Sequence, residues 1–178
     1  GNWWGATAGF PAAALTKPFS NADLTAVLVA SRIEDPWLTV ANFEAAMTRE
    51  EFFLLYQPKV HLPTGEVTGV EALVRWRHPE RGVVAPLEFI PFAESSACID
   101  RMTHWIGETA SAQLAQWDAL GCRIGVAINV SIRNLHEPRL ADQLAAQCRA
   151  AGIEPERLTL ELTETAAMRD AVQMMDVL

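Results

Sequence analysis

The chain reads as an α/β protein in which strands alternate with helices after an opening antiparallel hairpin, and three observations point there. The runs "EFFLLYQPKV" and "EVTGVEALVRW" are rich in Val, Leu and aromatics and are joined through Pro63, Thr64 and Gly65, a turn-rich connection that suits a hairpin. Beyond them the pattern runs helix, strand, helix, strand, and crossovers of that kind pair strands in parallel, as in an α/β sheet or barrel. Between them, Met102, Ile106, Ala110, Leu114, Trp117 and Leu120 recur at three and four, the stripe of a helix packed on a sheet.

The elements follow in order. Composition shifts at "SRIEDPWLTVAN", where Pro36 interrupts the pattern, so residues 1–38 form one segment and residues 39–178 the main domain. An amphipathic helix is expected from about Ala41 to Arg49, followed by the hairpin. "APLEFIPFAESS" reads as a short helix containing Pro91, and the long helix spans about Asp100 to Leu120, closed by Gly121. "RIGVAINVS" is a buried strand, a helix from about Pro138 to Ala151 stops at Gly152, "RLTLELTE" is another strand, and "TAAMRDAVQMMDVL" opens a further helix.

At 178 residues the chain can bury roughly 70% of its unfolded surface, enough for a sizeable core. Its net charge of −8 argues against DNA binding, because no basic stripe is present. Carboxylates can still bind a phosphorylated ligand through a divalent cation. Cys98, Cys122 and Cys148 are odd in number and lack metal-ligand spacing, which suggests buried or half-buried thiols in a reducing compartment. With neither a signal-like start nor a membrane-spanning run, the expected location is the cytoplasm. The histidines, His61, His78, His104 and His136, show no ligand pattern, and His78 before Pro79 reads as a turn residue.

Side chains alternate along a strand. Glu71, Leu73 and Arg75 therefore share one face, opposite Val70, Ala72, Val74 and Trp76. The other strands repeat the arrangement. Ala127, Asn129 and Ser131 lie opposite Val126, Ile128 and Val130; Thr159, Glu161 and Thr163 lie opposite Leu158, Leu160 and Leu162; Gln57 and Lys59 share a face with Leu55. A shared polar mouth at the strand ends accounts for the repetition. Glu71, Asn129 and Glu161 would converge there as hard oxygen ligands for Mg²⁺ or Mn²⁺, with Arg75 placed to hold a phosphate oxygen. The residues alone leave a second reading open, a salt-bridged sheet face joining Glu71 to Arg75, with Asn129 capping a loop.

"YQP" at Tyr56–Pro58, "VEALVRW" at Val70–Trp76, "PLEFIPFAE" at Pro86–Glu94, "NVS" at Asn129–Ser131 and "ELTE" at Glu161–Glu164 stand in the order and spacing of one family. From about Asn42 onward the chain resembles EAL-domain proteins, bacterial phosphodiesterases that hydrolyse cyclic di-GMP to the linear dinucleotide pGpG. The resemblance implies a modified TIM barrel with one antiparallel strand. It implies Glu71, Asn129 and Glu161 as metal ligands, Gln57, Leu73 and Arg75 as substrate contacts, and Glu164 as a second glutamate that steadies a loop over the metals. Glu71, Glu161 and Glu164 form its catalytic set, with Mg²⁺ or Mn²⁺ as cofactor, and a homodimer is the expected assembly. The plainer alternatives are core packing for Leu73, a strand hydrogen bond for Gln57 and a helix cap for Glu164.

A TIM barrel takes about 250 residues, so the segment from Asn42 corresponds to about half of one. The resemblance places the family's paired aspartates, catalytic lysine and a further glutamate beyond Leu178. An incomplete module that binds cyclic di-GMP or a protein without hydrolysing it is therefore the alternative function. Upstream, "AAALTKPFSNADLTAVLVAS" resembles the end of a response-regulator receiver domain. That likeness implies Lys17 as a phosphoryl contact and an upstream histidine kinase. Residues 1–9, "GNWWGATAG", match neither pattern.

Overall fold

The computed structural model describes residues 37–162. Lys17, the receiver-like stretch, Glu164 and the expected final helix lie outside the described residues. The chain divides into compact units at Gly1–Thr39 and Val40–Leu178, and the second unit carries the fold described below.

Its elements are α1 (Val40–Thr48), β1 (Phe52–Val60), β2 (Val67–His78), β3 (Gly82–Val84), α2 (Pro86–Ser95), α3 (Cys98–Ala119), β4 (Gly125–Val130), α4 (Leu140–Ala150) and β5 (Leu158–Leu162), with 3-10 turns at Ile132–His136 and Pro155–Arg157. The sheet runs β1-β2-β4-β5, with β3 also paired to β2. β1 and β3 lie antiparallel to β2, while β2, β4 and β5 are mutually parallel. The mixed α/β sheet with an antiparallel opening strand thus forms as its hairpin and crossover patterns predict. β3 was not anticipated, because three residues are too few to show alternation.

Helix ends follow local backbone chemistry. Gly121 adopts φ +78°, and the N–H of Cys122 reaches the carbonyl of Trp117 at 2.9 Å, the closure that a left-handed glycine permits. α3 therefore stops at Ala119, so Leu120 is exposed rather than continuing the buried stripe, and Cys122 is exposed rather than buried. At its start α3 reaches back to Cys98, two residues before the expected Asp100. Gly152 ends α4 in the same way, with the Ile153 N–H on the Cys148 carbonyl at 2.9 Å. On β5 the expected apolar face is only partly covered: Leu160 and Leu162 are exposed, since β5 is the terminal strand of the described sheet and pairs with β4.

The core lies on the helix side of the sheet. Val70, Ala72, Val74 and Trp76 of β2 are buried with Val126, Ile128 and Val130 of β4 and with Met102, Ile106, Ala110 and Leu114 of α3. At one end, four aromatic side chains from four elements close on each other. Phe52 lies tilted at 4.8 Å from Trp76, Phe43 lies 5.0 Å from Phe52, and Phe89 lies 5.6 Å from Phe52 and 5.8 Å from Trp76. Each ring is almost wholly buried, and the Trp76 indole N–H is satisfied by Glu51 at 2.9 Å. Burial plus tilted and edge-on ring contact makes this cluster a main source of cohesion among α1, β1, β2 and α2.

At the other end, Arg157 ties three segments together just before β5. Its guanidinium donates to the Asp118 carboxylate on α3, one bond measuring 2.8 Å, and to the Ile124 carbonyl at 2.6 and 3.0 Å. Asp118 stands in the last turn of α3, where the helix dipole disfavours a negative charge. The hydrogen bonds from Arg157, with the positive charges of Arg157 and Arg123, nonetheless hold its carboxyl below the usual carboxylate range.

Two outcomes test this account. Phe89→Ala should cost about 3–5 kcal/mol in urea unfolding, the range for truncating a fully buried aromatic. Asp118→Asn should lower the melting temperature at neutral pH. A carboxyl whose folded pKa is depressed stabilises above its unfolded pKa, near about 4, and loses that stabilisation as pH falls through the folded value. The gap between variant and parent should therefore close on acidification below about pH 4.

Candidate active site

The strand faces opposite the helices carry the polar residues. Glu71, Leu73 and Arg75 of β2, Asn129 of β4 and Glu161 of β5 are half-buried, while Gln57 of β1 is exposed. Register places them in order: Gln57 lies opposite Glu71, Leu55 opposite Leu73, Ala127 beside Glu71, and Asn129 beside Glu161.

Within that frame the side chains make specific partners. The Asn129 amide Nδ2 donates to Glu71 Oε1 at 2.7 Å, a bond across β2 and β4. Glu161 is engaged by Lys59 of β1, whose ammonium donates to Glu161 Oε1. The Arg75 guanidinium turns back, its Nη1 donating to the Val74 carbonyl at 2.8 Å. The structure thus joins Glu71 to Asn129 directly, puts Glu161 in the hands of Lys59, and leaves Arg75 on its own strand. The alternative reading fares worse on two points: Glu71 bonds Asn129 rather than Arg75, and Asn129 spans two strands rather than capping a loop.

Among the described residues no three of His, Cys, Asp and Glu gather as a metal cluster. The oxygen set that sequence patterning singles out, two carboxylates and one amide oxygen, is of another kind. Its donors are hard and lie on adjacent parallel strands, which fits Mg²⁺ or Mn²⁺ better than a softer metal. Two of the histidines have local partners: His78 Nδ1 accepts from the Glu80 N–H at 3.2 Å at the end of β2, and His61 bonds Thr64 in the hairpin turn at 3.0 Å.

Two features were not assigned roles from the sequence. Lys59 was visible as a polar residue sharing a face with Gln57, but nothing in the pattern of its own strand named Glu161 as its partner. The loop after β4 is pinned by a buried polar network. Asn134 is fully buried; its Oδ1 accepts from Thr103 Oγ1 at 3.0 Å and from the Ser131 N–H at 3.1 Å, and its Nδ2 donates to Asp100 at 2.7 Å. Ser131 in turn donates to Glu94 at 2.7 Å and accepts from the Arg133 N–H. The Ser131-to-Asn134 spacing is a capping box, and it fixes the chain two residues beyond Asn129.

With the geometry in view, the comparisons with known proteins can be placed. Residues 40–178 match the EAL domain, and the chain belongs to that family. A cyclic di-GMP phosphodiesterase of Pseudomonas aeruginosa is 43% identical over 135 residues, covering 76% of this chain and 23% of that protein. The cyclic di-GMP phosphodiesterase PdeR of Escherichia coli is 34% identical over 134 residues, covering 75% and 20%. The chain thus spans about a quarter or less of the length of these curated relatives. Among solved structures, the PaMucR phosphodiesterase in complex with c-di-GMP superposes with a TM-score of 0.67 at 36% identity, over 75% of this chain and 55% of that one. The FimX EAL domain from Pseudomonas aeruginosa bound to c-di-GMP gives a TM-score of 0.64 at 25% identity, over 75% and 53%. No described helix is long and apolar enough to cross a membrane.

Truncating the loop's anchor tests its structural part. Asn134→Ala leaves Thr103, the Ser131 N–H and Asp100 short of their buried partner and should cost about 1–3 kcal/mol in urea unfolding.

Proposed function

We propose that this chain carries the first part of a cyclic di-GMP phosphodiesterase site, which hydrolyses one phosphodiester to give linear pGpG with Mg²⁺ or Mn²⁺. The observation that carries the reading is the bond between Glu71 and Asn129 at 2.7 Å, with Glu161 beside Asn129 in the ladder, on a chain whose relatives are named for that activity. Residues from three motifs that carry side-chain oxygens thus stand on one face of a parallel sheet, which supports the reading.

Glu71, Asn129 and Glu161 would hold the metal through oxygen donors. A bound divalent cation would supply Lewis acidity to the phosphodiester and activate the attacking water. The chain's own residues do the rest of what lies within it. Asn129 orients the Glu71 carboxylate, which keeps one lone-pair direction fixed. Gln57 and Leu73 offer a polar and an apolar contact to the base and sugar of a nucleotide, and Arg75 offers a planar fork of donors to a phosphate. Glu164 belongs to the same catalytic set, and Lys17 to phosphoryl control through a receiver fed by a histidine kinase. A homodimer in the cytoplasm completes the reading.

A second reading, recognition of cyclic di-GMP without turnover, is favoured by the ammonium of Lys59 on the carboxylate of Glu161, since that carboxylate is then not open to a metal.

Incubation with cyclic di-GMP and Mg²⁺ or Mn²⁺, followed by chromatography of the linear dinucleotide, separates them. Turnover should be abolished by chelation and fall at least about a hundredfold in Glu71→Ala, as expected for loss of a metal ligand. Full turnover in Glu71→Ala would refute the assigned site, whereas calorimetric binding without product would select the second reading.

A further inference from the structure

Lys59 and Glu161 are 102 residues apart in sequence and sit on β1 and β5, with β2 and β4 between them in the sheet. Three strand spacings in a flat sheet amount to about 14 Å, and Glu161 is offset along the strands as well, since it pairs with Asn129, four residues beyond the Gly125 of the row of Lys59; in a flat sheet the two side chains would not meet. Two features of this chain make the contact. The row from which Lys59 starts holds only glycine on the intervening strands, since Lys59 lies opposite Gly69 and Gly69 beside Gly125; no side chain of that row stands in the way. The pairing of β1 with β2 also slips by one residue between Lys59 and Val60, and the Thr68 hydroxyl donates to the Lys59 carbonyl at 3.2 Å. The residue left over is Thr68 of β2, and a bulge of this kind bends its strand and increases the local twist of the pair beside Lys59. The remaining requirement, inward curling of the strands, is a property of the barrel-like fold.

Glu161 is one of the three oxygen ligands assigned above, so its carboxylate is claimed by two cations of different kinds. We infer that Lys59 is the resident counter-ion of Glu161 in the metal-free site and that a divalent cation has to displace it. Lys59 thereby weakens the site's affinity for metal and raises the metal concentration at which the site fills. This inference rests on the reading of Glu71, Asn129 and Glu161 as a metal site. The pair is suited to exchange rather than to permanence. Both side chains are more than a third exposed, at 39% and 35%, where solvent screens an ion pair. Lysine is a flexible point charge with no directional fork to hold it in place. After displacement the ammonium remains tethered to β1 beside the site and repels the bound cation, so both effects act in the same direction. Glu71 differs, because its partner is the uncharged amide of Asn129, which can reorient to present its oxygen without leaving.

The test is calorimetric titration of MnCl₂ into the 178-residue chain at fixed ionic strength, with no nucleotide present, for the parent, Lys59→Met, Lys59→Gln, Lys59→Arg and Glu71→Ala. The two neutral variants should bind Mn²⁺ up to about fivefold more tightly than the parent, the upper end of the range for a partly exposed ion pair. Lys59→Arg should stay near the parent, and Glu71→Ala should lose the binding. The partial exposure of Lys59 means that neither neutral substitution opens a core cavity, and each is checked by its thermal melt. Glu71-dependent Mn²⁺ binding that is unchanged or weaker in both neutral variants would overturn the exchange and leave the metal site standing. Absence of Glu71-dependent Mn²⁺ binding in the parent and in both neutral variants would overturn the metal site itself, and the exchange with it.

Discussion

Alternation along β2 governs the rest of this molecule. This strand pairs with β1, β3 and β4, and its successive side chains must serve opposite environments. Val70, Ala72, Val74 and Trp76 face the helices and are buried; Glu71, Leu73 and Arg75 face away and are half-buried. A slip of one residue would drive two charges into the core and expose Trp76. Register is therefore strongly determined, and backbone contact reinforces it. A Cβ on Gly69 would stand 3.0 Å from the Gly125 carbonyl oxygen, so β2 approaches β4 most comfortably with glycine at that position.

The two sides of the sheet are stabilised by different physics. On the helix side, aromatic and aliphatic burial supplies most of the cohesion, and the surroundings are closely packed. α3 approaches α4 so closely at Gly107 that a Cβ there would fall 2.3 Å from Leu144. On the polar side, partners are held by hydrogen bonds and ion pairs between half-exposed groups, which can change partners at modest cost. The loop after β4 joins the two regimes. Its network through Ser131 and Asn134 is buried and satisfied, and an unpaired group there would be penalised more heavily than one on the sheet face. Asn129 is thus carried on a firmly held segment while its amide remains able to choose between a carboxylate and another ligand.

Tyr56 shows how sharply that division runs within one strand. Its neighbour Gln57 is exposed, whereas Tyr56 packs edge-on against Trp117 at 4.9 Å, and burial pushes its phenol up to about 12. It is therefore a packing group at neutral pH, although it stands beside a residue proposed to touch substrate.

Period-two alternation, glycine placement and the three-and-four stripe of α3 sufficed to read the hairpin, the parallel strands, most helix ends and the polar face carrying Glu71, Asn129 and Glu161. Those features are legible because each depends on local geometry that repeats along the chain. The three-residue β3 was too short to repeat. The outward course of Leu120 and Cys122 depended on a single glycine adopting a left-handed conformation, and the partial exposure of Leu160 and Leu162 on the position of β5 in the sheet. The motifs picked out the candidate residues on the polar face; only the tertiary structure decided their partners. It set Asn129 on Glu71, turned Arg75 to Val74 and brought Lys59 to Glu161. The reason is physical: side-chain direction along a strand follows from sequence, but a contact between strands far apart in the chain depends on register, a bulge and the curl of the whole sheet.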